Sequence, residues 1–121
     1  MHCTGLGKAM LAFKTPSEIK WILNKRGMKA MTARTITEMG QMEKELEKIR
    51  NQGYAEDIGE MMDSLRCVAV PIRNKEGNVK YAISVSGLDY SIRGDRWLDI
   101  LNSLLKAAED ISYAIGYRQQ P

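Results

Sequence analysis

The feature that most constrains the fold is a pair of strand-like segments, Arg66 to Arg73 and Val79 to Gly87, separated by a polar turn. Both segments are rich in β-branched and small apolar residues. The five residues between them, Asn74 to Asn78, are of the types that form turns. We therefore predict an antiparallel β-hairpin, around which the rest of the chain must pack.

The two faces of the second strand differ in side-chain size. The bulky apolar positions, predicted to face the core, are Val79, Tyr81, Ile83 and Val85. The small positions on the opposite face are Ala82, Ser84 and Ser86. Two interpretations of the small face remain open. It is either the floor of a pocket, with two hydroxyls for a ligand, or a surface against which a helix packs.

The first helix is predicted to begin after Thr4, a suitable N-cap, since apolar residues recur from Leu6 to Phe13 at helical spacing. Its first turn contains Gly5 and Gly7. These glycines leave the free N–H groups of the helix start open to an anion. Alternatively, they allow close packing against a strand, and the local sequence does not separate the two interpretations.

Three further helices are predicted. Thr15 and Pro16 begin the second, and Thr37 is expected to cap the third. The charges of the third helix are interpreted as a solvated face with two pairs, Glu45 with Lys48 and Glu47 with Arg50. The fourth helix starts at Asp95 and carries a wide apolar stripe, typical of packing on a sheet or on a partner subunit. The stripe comprises Trp97, Leu98, Leu101, Leu104, Leu105, Ala108, Ile111 and Ile115.

A short third strand is predicted at Tyr54 to Asp57. Asp57 then lies at a strand end, from which side chains often reach into sites; the alternative is an exposed turn aspartate. Met61 and Met62, in the following loop, are expected to close over an apolar group. Three strands leave one edge of the hairpin uncovered. We therefore expect that the N-terminal part of a larger domain is missing.

Composition and motifs argue against several classes of function. The 18 basic residues are scattered among 15 acidic ones, with a net charge of +3, which does not predict a nucleic-acid surface. Cys3 and Cys67 lie far apart, so we expect neither a metal site nor a disulfide, and a cytoplasmic location fits. No membrane span or signal peptide is predicted. The only histidine is His2, and no catalytic or cofactor motif is present.

Six segments, taken in order, closely resemble the C-terminal effector-binding domain of the IclR family of bacterial transcriptional regulators. They are MHCTGLGKAMLAF, TARTIT, GYAED, LRCVAVPI, NKEGNV and YAISVSG. The resemblance runs from Met1 to about Gly116. It implies a GAF-like α/β (α+β) fold, an antiparallel sheet flanked by helices, here without its N-terminal strands. It also implies that residues 1–121 are the C-terminal part of the domain and that the winged helix-turn-helix DNA-binding domain lies outside this chain.

The resemblance further implies a site and its partners. The backbone of Gly5 and Leu6 matches positions that hold a ligand carboxylate. The remaining matched positions are Asp57, Leu65, Cys67, Ser84 and Ser86. The ligand is expected to be a small organic acid, such as a 2-oxo acid or a sugar acid. The regulator is expected to be a homodimer or tetramer that contacts DNA only through its other domain and contacts no membrane.

The hairpin register tests this assignment. If Cys67 shares a face with Ser84 and Ser86, it should pair near Ser84, whereas pairing with Val85 would contradict the site. Two other functions remain open. One is an oligomerisation module without a ligand, and the other is a GAF-type thiol enzyme that uses Cys67.

Overall fold

The computed structural model describes residues 1–88 and 94–118. It contains three helices, then three strands, then a fourth helix. The elements are α1 (Gly5–Leu11), α2 (Pro16–Arg26), α3 (Met39–Gln52), β1 (Ala55–Ile58), β2 (Leu65–Arg73), β3 (Val79–Leu88) and α4 (Asp95–Ala114). The mixed α/β architecture predicted from the sequence is confirmed. Within the described ranges, no helix is long and apolar enough to cross a bilayer.

Two of the three predicted threonine caps are confirmed. The Thr4 hydroxyl accepts a hydrogen bond from the Gly7 N–H at 3.0 Å. The Thr15 hydroxyl accepts one from the Glu18 N–H at 3.2 Å. The prediction that Thr37 caps α3 is wrong. The N-cap of α3 is Glu38, whose backbone is still extended, so Thr37 lies one residue too early.

The three strands form one antiparallel sheet in the order β1-β2-β3, and the predicted hairpin is β2 and β3. Its turn is closed by the Asn74 N–H, which donates to the Asn78 carbonyl at 2.8 Å. Next to the turn, Ile72 pairs with Tyr81 while Arg73 pairs with Val79. Lys80 is therefore an extra residue in β3, a bulge that shifts the pairing of the whole hairpin.

Because of this shift, Cys67 lies opposite Ser86, and Ser84 lies opposite Ala69. Cys67 was predicted to pair near Ser84, but its partner Ser86 is the next residue of β3 on the same face. Residues directly opposite each other share a face of the sheet, so Cys67 and both serines do lie on one side. Asp57 of β1 pairs with Cys67 from the other edge. A row of Asp57, Cys67 and Ser86 therefore crosses all three strands.

Helices cover both faces of the sheet. The small-residue face packs against α1, with α2 and α3 behind it. The buried residues of this first cluster are Ala9, Leu11, Ala12, Ile19, Leu23, Met42, Leu46, Ile49, Ala55 and Ala69. The opposite face packs against α4. The buried residues of this second cluster are Val68, Val70, Ile72, Leu101, Leu104 and Ala108.

Two surfaces that were predicted to face the core include side chains that are exposed to solvent. On β3, Ile83 packs against the second cluster, but Tyr81 is 60% exposed and Val85 is 37% exposed. On α4, the ends of the predicted stripe are exposed to solvent, at Leu98, Ile111 and Ile115. Because α4 contacts the sheet mainly through β2, the side chains turned away from that strand stay outside the core.

Candidate functional site

A cavity of about 210 Å³ lies between the start of α1 and the small-residue face of the sheet. All seven residues that the resemblance assigned to the site line this cavity. They are Gly5, Leu6, Asp57, Leu65, Cys67, Ser84 and Ser86. Met61 also lines it, as expected of a methionine that closes over a site, together with Thr4 and Arg66, which were not assigned to it.

A larger cleft of about 940 Å³ lies between the end of α1 and helices α2 and α3. It is open to solvent, and its charged lining residues carry both signs. The cations are Lys14, Lys20, Lys44 and Arg50, and the carboxylates are Glu43 and Glu47. None of the seven assigned residues lines this cleft, whereas all seven line the smaller cavity. The smaller cavity is therefore the candidate site.

Gly5 allows α1 to approach the sheet closely. A Cβ atom at this position would lie 2.9 Å from Cys67 Sγ and 3.4 Å from the Ala69 Cβ. The small face of the sheet is therefore a packing surface for α1 near Ala69. Beside this contact, at Cys67, Ser84 and Ser86, the same face borders the cavity. The helix-packing interpretation of the small face is thus correct near Ala69, whereas the ligand-binding role of the two serine hydroxyls stays a prediction.

The first turn of α1 presents backbone donors at the cavity wall. The Gly7 N–H is bound by the Thr4 hydroxyl and the Lys8 N–H by the Thr4 carbonyl, both at 3.0 Å. Gly5 and Leu6 are the first two residues of the helix, so neither N–H has an acceptor within it. Two residues whose N–H groups have no acceptor within the helix, Gly5 and Leu6, therefore line the same small cavity as Ser84 and Ser86.

Asp57 is buried, with 5% of its surface exposed, so the alternative of an exposed turn aspartate is wrong. Its Oδ1 accepts a hydrogen bond from the Glu60 N–H at 2.8 Å, which fixes the turn after β1. Burial raises the pKa of this carboxyl, although the N–H groups of Glu60 and Met61 and the charge of Lys8 oppose the change. The cavity wall therefore includes a carboxyl group that holds its proton more tightly than an exposed aspartate.

This raised pKa predicts an unusual dependence of stability on pH. The folded chain binds the Asp57 proton more tightly than the unfolded chain, where the pKa is close to the ordinary 3.8. The contribution of Asp57 to stability is then complete below pH 3.8 and is lost as the pH rises through the folded pKa. Urea unfolding of the wild type and of Asp57→Asn should show a free-energy difference, wild type minus variant, that falls from pH 3.8 towards neutrality. A difference that rises over this range would contradict the prediction.

A buried ion cluster beside the cavity was not predicted. Lys8 is fully buried, and its Nζ donates to Glu45 Oε2 at 2.7 Å, to Glu60 Oε2 at 2.7 Å and to the Glu56 carbonyl at 2.6 Å. Glu45 therefore does not form the predicted solvent-facing pair with Lys48. Arg50, predicted to pair with Glu47, instead donates to the Ala12 carbonyl at 2.9 Å.

Burial and the neighbouring charges of this cluster change the pKa of both Lys8 and Glu60. Burial lowers the pKa of Lys8, but Glu60 and Glu45 more than offset it, so that its pKa is raised. At Glu60 the burial of the carboxylate outweighs the attraction of Lys8, and its pKa is also raised. Among the described residues, Glu60 Oε1 has no hydrogen-bond partner. The ammonium of Lys8 thus donates to three acceptors, whereas only one of the two Glu60 carboxylate oxygens accepts a hydrogen bond among the described residues.

The two cysteines are free and buried. Cys67 lines the cavity, and Cys3 Sγ lies 3.3 Å from Met61 Sδ, behind that wall. Burial raises the pKa of the Cys3 thiol. A thiol enzyme would need a base beside Cys67. His2, the only histidine, instead forms a hydrogen bond with the Lys29 carbonyl at 2.8 Å and does not line the cavity.

An α/β domain in which a helix start and a hydroxyl-bearing sheet face border a small, partly open cavity has the form of a small-molecule-binding domain. Comparison with known proteins shows to which family of such domains the chain belongs. Residues 1–113 match the family described as the bacterial transcriptional regulator IclR C-terminal domain. The chain belongs to this family and corresponds to its effector-binding domain.

The relatives are DNA-binding regulators that are longer than this chain. One is the HTH-type transcriptional regulator KdgR of Escherichia coli, which is 35% identical over 121 residues; the chain covers 46% of its length. The crystal structure of the C-terminal domain of KdgR matches with a TM-score of 0.89 and 35% identity, over 96% of this chain and 71% of that one. The chain thus spans about half the length of such regulators.

A more distant structure shares the fold. It is a double mutant of the inducer-binding domain of the PobR transcription factor from Acinetobacter, in complex with 3-hydroxybenzoic acid. The match has a TM-score of 0.86 and 23% identity, over 92% of this chain and 66% of that one. At this identity the match shows the fold alone.

Proposed function

We propose that this chain senses a small organic acid, such as a 2-oxo acid or a sugar acid, for a bacterial transcriptional regulator. The observation that supports this function is the single cavity lined by all seven residues assigned from the sequence. Ligand binding in that cavity would alter operator binding by the full regulator. A coupling of about 1–3 kcal/mol between the two events is sufficient for such control.

The walls of the cavity suit a carboxylate at one end. In this proposal the N–H groups of Gly5 and Leu6 and the hydroxyls of Ser84 and Ser86 donate to the acid. Asp57 would accept a hydrogen bond from a ligand hydroxyl, while Leu65 and Cys67 contact its carbon atoms. A double mutant of the PobR inducer-binding domain, which shares the fold, forms a complex with 3-hydroxybenzoic acid, so an acid fits a domain of this architecture.

The size of the cavity limits the ligand and its affinity. At roughly 30 Å³ for each water, 210 Å³ holds about seven waters, the volume of an acid with few carbon atoms. At a ceiling of about 1.5 kcal/mol per heavy atom, a six-atom acid gains at most about 9 kcal/mol. We therefore expect micromolar or weaker binding.

The rest of the regulator would lie outside residues 1–121. We propose that this chain is the C-terminal part of the effector-binding domain and that upstream strands pair with the outer edge of β3. No described strand covers that edge. DNA would be contacted only by a separate winged helix-turn-helix domain, in a cytoplasmic dimer or tetramer. The greater length of the relatives and the HTH-type description of KdgR support this arrangement.

Ligand titration of the full chain, followed by amide nitrogen-proton NMR, tests the proposal. Glyoxylate, pyruvate and gluconate are the probes, and saturable shifts are expected at Gly5, Leu6, Ser84 and Ser86. Each of Ser84→Ala and Ser86→Ala should weaken binding by about tenfold, because a hydrogen bond to a charged group contributes about 1.5–3 kcal/mol. Ser103→Ala is the control, since Ser103 is exposed on α4, on the other side of the sheet.

A folded chain that shows no saturable shift with any acid would refute the sensing function. The second candidate, an oligomerisation module, would then be favoured. It is supported by the apolar side chains that α4 leaves exposed, Leu98 at 51%, Ile111 at 39% and Ile115 at 43%. In that case sedimentation should show a dimer that survives Ser84→Ala and Ser86→Ala but is lost on replacement of Leu98 and Ile111 by lysine.

A further inference from the structure

Lys8 joins three parts of the molecule at the edge of the cavity. It lies in α1, and its ammonium contacts Glu45 of α3 and both Glu56 and Glu60 around the end of β1. Its side chain is completely buried, and all three donor–acceptor distances are 2.6–2.7 Å. Such a side chain is held in one position by its partners.

Two walls of the cavity belong to the segment that Lys8 holds. Asp57 directly follows Glu56, and Met61 directly follows Glu60. Lys8 binds both Glu56 and Glu60, and within the segment Asp57 Oδ1 accepts the Glu60 N–H. The segment from residue 56 to residue 61 is therefore fixed at two points to α1.

The same helix forms the opposite wall of the cavity, through Gly5 and Leu6. Lys8 is three residues beyond Gly5, which is less than one turn of helix. Its buried ammonium therefore connects the wall formed by Gly5 and Leu6 to the segment that carries Asp57 and Met61. The loop has further support on its outer side, where the hydroxyls of Thr32 and Thr35 donate to the carbonyls of Gly59 and Glu60. Of these contacts, only those of Lys8 connect the loop to the helix that borders the cavity.

We propose that Lys8 is a positioning residue for this site, which sets the place of Asp57 relative to the N–H groups of Gly5 and Leu6. The proposal rests on the sensing function proposed above. If Asp57 accepts a hydrogen bond from a ligand hydroxyl, the loss of Lys8 weakens the binding of hydroxy acids more than that of acids without a hydroxyl. A general loss of stability would weaken both equally.

Lactate and pyruvate provide a matched pair of probes, because they differ only in a hydroxyl against a ketone. The test variant is Lys8→Met/Glu60→Leu, which removes the contact between Lys8 and residues 56–60 together with the more buried of its two carboxylate partners. Its ratio of lactate Kd to pyruvate Kd should rise about tenfold over the wild type, because the hydrogen bond between the lactate hydroxyl and Asp57 is lost and pyruvate has no such hydroxyl. The control is Glu45→Gln, which leaves Lys8 bound to the loop and should keep the wild-type ratio.

Hydrogen exchange of the ligand-free chain is a second readout that does not depend on binding. In Lys8→Met/Glu60→Leu the amides at positions 60 and 61 should exchange at least about tenfold faster, while those of α2 and α4 keep their wild-type rates. If the wild type binds neither lactate nor pyruvate, the exchange rates alone test whether Lys8 holds residues 56–61 against α1. Unchanged exchange at both amides, or an equal loss of affinity for both acids, would overturn the proposal.

Discussion

Lys8→Met alone is expected to destabilise the chain by about 3–5 kcal/mol, the usual cost of removing one partner of a buried ion pair. Methionine fills nearly the same volume, so the cost comes from the groups left behind. The Glu60 carboxylate, whose side chain is 9% exposed, would lose the ammonium of Lys8, and the Glu56 carbonyl would lose a donor. Urea unfolding monitored by tryptophan fluorescence measures this difference in free energy.

The double variant distinguishes this explanation from a packing defect. Glu60→Leu in the Lys8→Met background replaces the orphaned carboxylate with an apolar group, so most of the lost stability should return. Glu45→Gln keeps an oxygen acceptor for Lys8 on a side chain that is 22% exposed, and should cost no more than about 1 kcal/mol. A double variant as unstable as Lys8→Met would show that the buried charge is not the cause.

Gly5→Ala is expected to destabilise the chain by about 1–3 kcal/mol, because the new Cβ would lie 2.9 Å from Cys67 Sγ in the contact between α1 and the sheet. Neither neighbour can move freely. Cys67 is in the central strand, and α1 is held by Lys8. The matched control is Gly40→Ala, at a helical position with no atom within 4 Å of the added Cβ. It should be neutral or stabilising by up to about 1 kcal/mol.

The two substitutions can be compared by thermal and urea unfolding of the same preparations. Adding Cys67→Ala to Gly5→Ala removes the sulfur atom that causes the overlap, so the two changes should cost less together than the sum of their separate costs. Equal stability changes for Gly5→Ala and Gly40→Ala would mean that α1 is not packed as closely as described.

The sequence predicted the elements whose signals are local. The hairpin and the caps at Thr4 and Thr15 depend on residues within a few positions of each other. Thr37 failed because an N-cap threonine and one that precedes the cap look alike in sequence. The pairing of Cys67 was predicted to within one step, since alternation fixes the face but the bulge at Lys80 sets the register.

The Lys8 cluster was missed because its partners are 37 and 52 residues away. The apolar spacing from Leu6 to Phe13 gave no signal for it, because that spacing places Lys8 on the other side of α1. In the structure the buried residues of α1 are instead Gly5, Lys8, Ala9 and Leu11. A lysine there usually extends its stem to reach solvent, and nothing local to α1 shows that Glu45 and Glu60 are brought to it instead. The seven site residues came from the family resemblance, and the fold brings them to one cavity.

The division of the apolar side chains into two clusters, one on each face of the sheet, bears on how such a domain can evolve. Ser84 and Ser86 project towards the cavity, whereas Val70 and Ile72 pack against α4 on the opposite face. Because successive residues of a strand serve different faces, mutations can change the chemistry of the cavity without disturbing the α4 layer. The residues of the cavity can therefore be replaced one at a time during evolution while the domain stays folded.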